Sequence, residues 1–400
     1  MKACLRRLPT QQGFSLLEMM IAVVIGMFSV LVIMQVMSGT ATSRRIAVGG
    51  GDAQLNGVSA IRALQLDLEQ AGLGLQSFNI LGCGLSYLLP SGSAVNLTAL
   101  APVMVNPPVA LVPAGDANTD TLLVISGNSG SPSEGDLMTA ATSAGAYIVT
   151  TPDSFQPNDK VIAAPSTRAT NCSLQAAAVS TVSGSTLNLA GGTAGLPNGS
   201  IAYNLGGAPT VRAYAIRNGD LTVCDYLATN CGSTGSTTPV DPLVWAPVAS
   251  NIVSLRVQYA RDTSGITGGT SVMDGVVDTY DQTTPGDGSN ADNAAAIPVF
   301  CKWARVVGLR LAVVARGQQY DKTLSYVGGP NLTALQGSTT IVNKTVLPAL
   351  TWTGAAGAPI TLAGTDWDRY RYAVVQTALP LRNMIWQGSQ PAYQGGAGGC

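Results

Sequence analysis

From Phe14 to about Met37 the chain is apolar at nearly every position, and no charged side chain occurs between Met19 and Ser43. A run that is apolar all round has no polar face to give to water, and about 20 such residues cross the hydrocarbon core of a bilayer. The pattern then changes. Gly49-Gly50-Gly51 interrupts it. Three glycines in a helix interior cost about 1 kcal/mol each relative to alanine, which predicts a break or hinge there. From Asp52, a good capping residue, to about Ala71, Leu55, Val58, Ile61, Leu64 and Leu68 recur at spacings of three and four. This predicts an amphipathic helix with those residues on one apolar face, Asp67 and Glu69 on the solvent side, and Gly72 and Gly74 ending it.

Beyond Leu81 the period shortens to that of strands. Thr121–Ile125 and Tyr147–Thr150 both read as short buried strands. Val211–Arg217, then Asn218-Gly219, then Leu221–Tyr226 reads as a hairpin with a two-residue turn. Ile252–Tyr259, Val306–Ala315 and Arg369–Leu379 follow, and the near-continuous apolar run of Val306–Ala315 predicts a central strand. Residues 184–200 and 262–296 read as low-complexity loops, and no fixed-period repeat is present. The sum is an α+β chain. A long N-terminal α-helix, first apolar and then amphipathic, packs on a β-sheet-rich globular domain with long loops. The expected boundaries are 1–13, 14–75 with the membrane span at 14–37, and 76–400.

Composition agrees with that outline. Charged residues make up 11% of the 400, about half the usual share, while Gly (46) and Pro (22) supply many turns. The formal charge of −1 leaves no basic excess to recruit nucleic acid. Histidine is absent, which removes Ser-His-Asp and Cys-His nucleophiles and His-ligated zinc together. No G-x-x-x-x-G-K-[ST] loop occurs either, so the chain is not expected to be an enzyme.

One charge does not fit a plain anchor. Glu18 sits inside the apolar run, four residues after Phe14, where an unpaired carboxylate is costly. Before the run lies a short leader with Lys2, Arg6 and Arg7, ending at Gly13. A secretory signal has a core of about 7–15 residues followed by a small-residue cleavage site, whereas here the small residue precedes a longer run. The leader cations orient the N-terminus to the cytoplasm, with Arg44 and Arg45 beyond the span.

These residues resemble the class III signal of type IV prepilins and type II secretion pseudopilins. The resemblance implies that a prepilin peptidase cuts between Gly13 and Phe14, that the new terminal Phe14 is N-methylated, and that Glu18 is the fifth mature residue. It also implies that Glu18 meets the terminal ammonium of a neighbouring subunit when the apolar helices pack in a filament, where an unpaired carboxylate would cost several kcal/mol. Later blocks are similar, in the same order, to the PilW family of minor pilins: "LDLEQAGLG", "NIVSLRVQYA", "WARVVGLRLAVVARG" and "DRYRYAVVQTALPLRN". Residues from about 90 to 200 match no pattern we can name, and the tail after "LPLRN" is unexplained.

The resemblance implies a minor pilin of type IV pilus assembly that initiates or caps the filament in a tip complex. Its partners would be other minor pilins, the major pilin, an adhesin-like tip protein and the prepilin peptidase, with no nucleic acid. Before assembly it would sit in the inner membrane with its domain in the periplasm, and afterwards in the pilus at the cell surface. Two other classes stay open: a J-type pseudopilin of a type II secretion system, whose hairpin style "VRAYAIRNGDLTVCDY" shares, and an anchored carbohydrate- or DNA-binding protein. The latter should expose an aromatic cluster, but Trp303, Trp352, Trp367 and Trp386 lie mostly in strand-like contexts.

Seven cysteines leave six once the leader and its Cys4 are removed: Cys83, Cys172, Cys224, Cys231, Cys301 and Cys400. An even number in an exported chain reads as disulfides, with Cys224 and Cys231 close enough for a local clip. Asp274, Asp278 and Asp281, with Asp287 and Asp292 following, form an acidic stretch that could supply oxygens to calcium, although the spacing of a calcium loop is absent. A solvated acidic loop is the plainer reading. No other cofactor is expected.

Overall fold

The computed structural model of the protein describes residues 13, 15–89, 91–140, 143–168, 172–232, 241–264, 273–286, 297–322, 324, 326, 331–332, 360–362 and 365–385. One helix, α1 (Leu16–Leu68), runs for 53 residues, about 80 Å at 1.5 Å per residue. It does not break at Gly49–Gly51. The expected hinge is corrected by tertiary packing: Gly49 is buried against Gln319 and Arg371, and a Cβ on the facing Gly317 would collide with the Gly49 carbonyl. Backbone meets backbone there, and only glycine permits it.

The same logic continues along the seated face. Gly49, Ala53, Gly57, Ala60, Ile61, Leu64 and Leu68 are buried at steps of three and four. A Cβ on Gly57 would lie 2.7 Å from Val375 Cγ2 and 3.5 Å from Ala315 Cβ. The seat therefore begins with small residues and ends with large ones. This corrects the expected face at two positions, because Leu55 and Val58 point outward, 70% and 51% exposed. The helix ends at Leu68, and Gly72 and Gly74 take the left-handed conformation just after it (φ +83° and +78°).

Three larger sheets follow, besides the two-stranded pair of Asn331–Leu332 with Ile360–Thr361. A four-stranded antiparallel sheet holds Thr279–Asp281, Ile252–Arg261, Val306–Arg316 and Tyr372–Pro380 in that order. Val306–Arg316 is central, as its apolar run predicted. One face carries Leu255, Val257, Leu309, Leu311, Val313 and Ala315 into the main core beneath α1. Part of the other face, at Ala312 and Val314, is covered by Leu324, Tyr326 and Leu362.

A five-stranded sheet places Ala246–Ala249, Asp220–Asp225, Thr210–Arg217, Leu122–Ser126 and Val103–Val105 side by side. The predicted hairpin is present, with Asn218 and Gly219 both at positive φ (54° and 77°), as its two-residue turn demands. Asp120, 2% exposed, fastens this sheet to the previous one. Its carboxylate accepts from Arg256 Nη1 (2.9 Å), Val257 N (2.9 Å) and Asn106 Nδ2 (3.1 Å).

The third sheet, of eight strands, is largely a closed barrel. Residues 136–139 pair with 199–202 on one side and, through Thr139 N to Ile148 O and Thr150 N to Leu137 O, with 148–150 on the other. Ala146–Ile148, Thr186–Ala190, Ser173–Ser183, Lys160–Ala164 and Ile201–Gly206 complete the ring. Its interior is a separate core containing Met138, Tyr147, Val149, Val161, Val179, Leu187 and Leu189. Closure leaves the ring strands no unpaired edge, and side chains fill the lumen. Residues 184–200 are thus not simply a loop: Gly184 is a hairpin turn and Thr186–Ala190 a strand. Gly84–Leu88 joins the barrel by a parallel pairing with Ser173–Gln175, and the adjacent Cys83–Cys172 disulfide ties the connection.

Candidate functional site

The N-terminal end of α1 is the candidate site. Ser15 takes an extended conformation (φ −72°, ψ 145°) and its Oγ accepts the Leu17 N–H at 3.3 Å, making it the N-cap. The Ser15 carbonyl accepts from Glu18 N (3.0 Å) and Met19 N (3.1 Å), which starts the helix. Glu18 lies in that first turn, exposed, where its negative charge complements the positive end of the helix dipole. The spacing Ser15-x-x-Glu18 is a capping-box signature legible in the sequence, and our reading of Glu18 as a misplaced charge missed it. Gly13 is exposed outside the helix, and a Cβ there would meet nothing within 4 Å. Phe14 lies outside the described residues.

From Leu16 to Ala41 nothing in the fold covers the helix: these 26 residues have a mean hydropathy of 2.6 and none is buried. The length suffices to cross a membrane, about 39 Å against a core of about 30 Å. Exposed apolar side chains do not stop there. Val48, Leu55, Val58 and Leu66 continue along the outer side of the seated half.

At the other end, α1 is held by side chains far away in sequence. Asp67 pairs with Arg212 Nη1 (3.0 Å) and accepts the Tyr214 hydroxyl (2.5 Å). Burial, with the Asp67 carboxylate as acceptor, pushes the Tyr214 phenol well above its ordinary pKa and keeps it a neutral donor. Asn383 Nδ2 donates to the carbonyls of Gln70 and Ala71, both at 3.1 Å, and Met384 packs on Gly72. This is why the "LEQAGLG" and "LPLRN" blocks, some 310 residues apart, belong together: Asn383 satisfies carbonyls of the turn that follows α1. No local signal in "LPLRN" points to that contact.

The cysteines divide as follows. Cys224 and Cys231 form the expected clip, and Cys83 pairs with Cys172 across 89 residues. Cys301 is buried and also disulfide-bonded, while Cys400 lies outside the described residues. The acidic stretch is not gathered into a metal site. Asp281 is taken by Arg261 (2.7 Å), Asp278 accepts from Thr263 and Ser264, and Asp274 caps Val276 N. Those backbone and hydroxyl donors hold the Asp278 carboxyl below its usual pKa. Among the described residues no group of three or more His, Cys, Asp or Glu side chains is placed to hold a metal, so the geometry corrects the grouping of Asp274, Asp278 and Asp281. Asp287 and Asp292 lie outside the described residues. Trp303 is fully buried, on the short helix Val299–Ala304 rather than a strand, and Trp352 and Trp386 lie outside the described residues.

The arrangement defines a class: a membrane-anchored pilin-like subunit, with an unburied apolar half-helix and a sheet domain seated on the rest. The comparisons give the family. The model for the prokaryotic N-terminal methylation motif matches residues 8–34, and that for type IV pilus-assembly protein W matches residues 214–383. Together the two matches support a type IV pilus-assembly pilin of the PilW family. No curated protein and no solved structure matched it. The PilW match begins at Tyr214 in the hairpin and ends at Asn383, the residue that holds the turn after α1. The barrel, residues 136–206, lies outside both matches.

Proposed function

We propose that this pilin is a minor subunit that initiates or caps the filament as part of a tip complex. The observation that carries the reading is the outward apolar stripe Val48, Leu55, Val58 and Leu66 on the seated half of α1. A bilayer explains exposed apolar side chains up to Ala41, but these lie beyond the span and need a protein surface. Neighbouring α1 helices in a filament would supply it. A prepilin peptidase would cut after Gly13, and Phe14 would be methylated. Glu18 would then pair with the terminal ammonium of an adjacent subunit.

The added barrel favours an end position, because it adds bulk that a side-by-side shaft lattice must accommodate at every subunit. Partners on this reading are other minor pilins, the major pilin and an adhesin-like tip protein. The role is structural rather than catalytic. Before assembly the domain would face the periplasm, and afterwards the cell surface. Immunogold labelling of the chain on sheared pili tests the position. Gold confined to filament ends is expected; gold along the whole shaft would overturn the tip role.

A further inference from the structure

An asparagine loses its side-chain amide most readily before glycine, which has no side chain to hinder attack by its own nitrogen. Asn-Gly occurs three times here, at Asn56–Gly57, Asn198–Gly199 and Asn218–Gly219. The first lies inside α1, where the helix engages the glycine N–H. In the second, Gly199 N donates to the Met138 carbonyl (3.0 Å). The third is held by a side chain. Asn218 is exposed at the tip of the hairpin, and both turn residues are left-handed. Asn218 N donates to Asp116 Oδ1 (3.0 Å) and Gly219 N to Asp116 Oδ2 (2.8 Å). Asp116 is itself fastened to the hairpin. Its N–H donates to the Ile216 carbonyl (2.7 Å), and Arg217 donates to the carbonyls of Pro113 (2.7 Å) and Ala114 (3.1 Å). Gly115 permits that approach, since a Cβ there would lie 2.5 Å from the Ile216 oxygen.

We infer that Asn218–Gly219 is a latent deamidation site and that Asp116 holds it unreacted. In the reaction the Gly219 nitrogen gives up its proton and attacks Asn218 Cγ. The new N–Cγ bond closes a succinimide ring as the Cγ–Nδ2 bond breaks, and the side-chain nitrogen leaves as ammonia, carrying a proton in exchange. Water then opens the ring to aspartate, or to isoaspartate, which routes the backbone through the side chain and lengthens the turn. A carboxylate on the Gly219 N–H opposes the first step in two ways. It fixes the direction of the nitrogen, and its charge disfavours a second negative charge there. A hydrogen bond to a charged acceptor corresponds to about a ten-fold factor, so Asp116→Ala should speed deamidation of Asn218 about ten-fold. Asp116→Asn keeps an acceptor oxygen without the charge, and its rate should fall between the two.

The test ages the full-length chain in detergent micelles at mildly alkaline pH and follows all three asparagines by peptide mass spectrometry. The expected result is a faster loss at Asn218 in Asp116→Ala, with Asn56 and Asn198 unchanged from the parent. Those two sites report on the rest of the fold within the same sample. An equal rise at all three would contradict the inference, because protection would then belong to the whole fold and not to Asp116. An unchanged rate at Asn218 would overturn it directly. A slower rate would also overturn it, since the carboxylate would then be acting as the base that takes the Gly219 proton. A second measurement checks that the site is latent. In concentrated urea the parent should lose the Asn218 amide as fast as Asp116→Ala does, and a parent as inert unfolded as folded would sink the proposal.

Discussion

The two halves of α1 are one continuous helix with opposite packing. Between Gly49 and Leu68 the buried positions start small, so the helix axis approaches the sheet closely enough for Gly57 to touch Val375. Between Leu16 and Ala41 the side chains are large, apolar and wholly unburied. The seated half satisfies its packing within the chain. The free half leaves it to a bilayer and then to other subunits, so folding and assembly depend on different residues of the same element.

If that division is real, substitutions should sort by half. The largest effect on folding is expected from Gly57→Leu, which forces four extra carbons where even a Cβ would lie 2.7 Å from Val375 Cγ2. Overpacking of that kind costs about 3 kcal/mol. It should appear as a clear fall in the thermal midpoint of the detergent-solubilised chain; an unchanged midpoint would mean that the helix is not seated there. Asp67→Ala comes next. It leaves the half-exposed Arg212 with only the longer contact to Asp225 (3.9 Å) and the buried Tyr214 hydroxyl without its acceptor, for about 2 kcal/mol in chemical denaturation. Leu31→Ala, in the free half, should be smallest by the same measure, within about 0.5 kcal/mol. Its effect should instead show as reduced recovery in the pilus fraction, and a fold destabilised as much as by Asp67→Ala would break the comparison.

Much of this division was legible in the chain. An apolar run gives its own length, and the methylation-type junction announces itself in contiguous residues, so Gly13, Phe14 and Glu18 could be named without a structure. The seated half was misread at its glycines. Propensity makes Gly49–Gly51 a break, but close contact with Gly317 overrides propensity, and nothing local reveals a partner 268 residues away. Leu55 and Val58 were placed on the wrong face for a related reason: the period of large apolar residues was followed, while the true seat uses Ala53, Gly57 and Ala60. The barrel was hidden differently. Four of its six ring strands have five residues or fewer, and closure between residues 136–139 and 199–202 is a non-local event. Asn383 is the extreme case, since the turn it holds follows a helix that ends more than 300 residues earlier.

The central claim is that the outer stripe of α1 meets protein rather than lipid. A photo-crosslinking amino acid at Leu55, 70% exposed and beyond the membrane span, tests it in living cells. Crosslinking should join this chain to another pilin subunit in the sheared pilus fraction. A chain that reaches the pilus fraction with Leu55 uncrosslinked, or that never reaches it, would contradict the account.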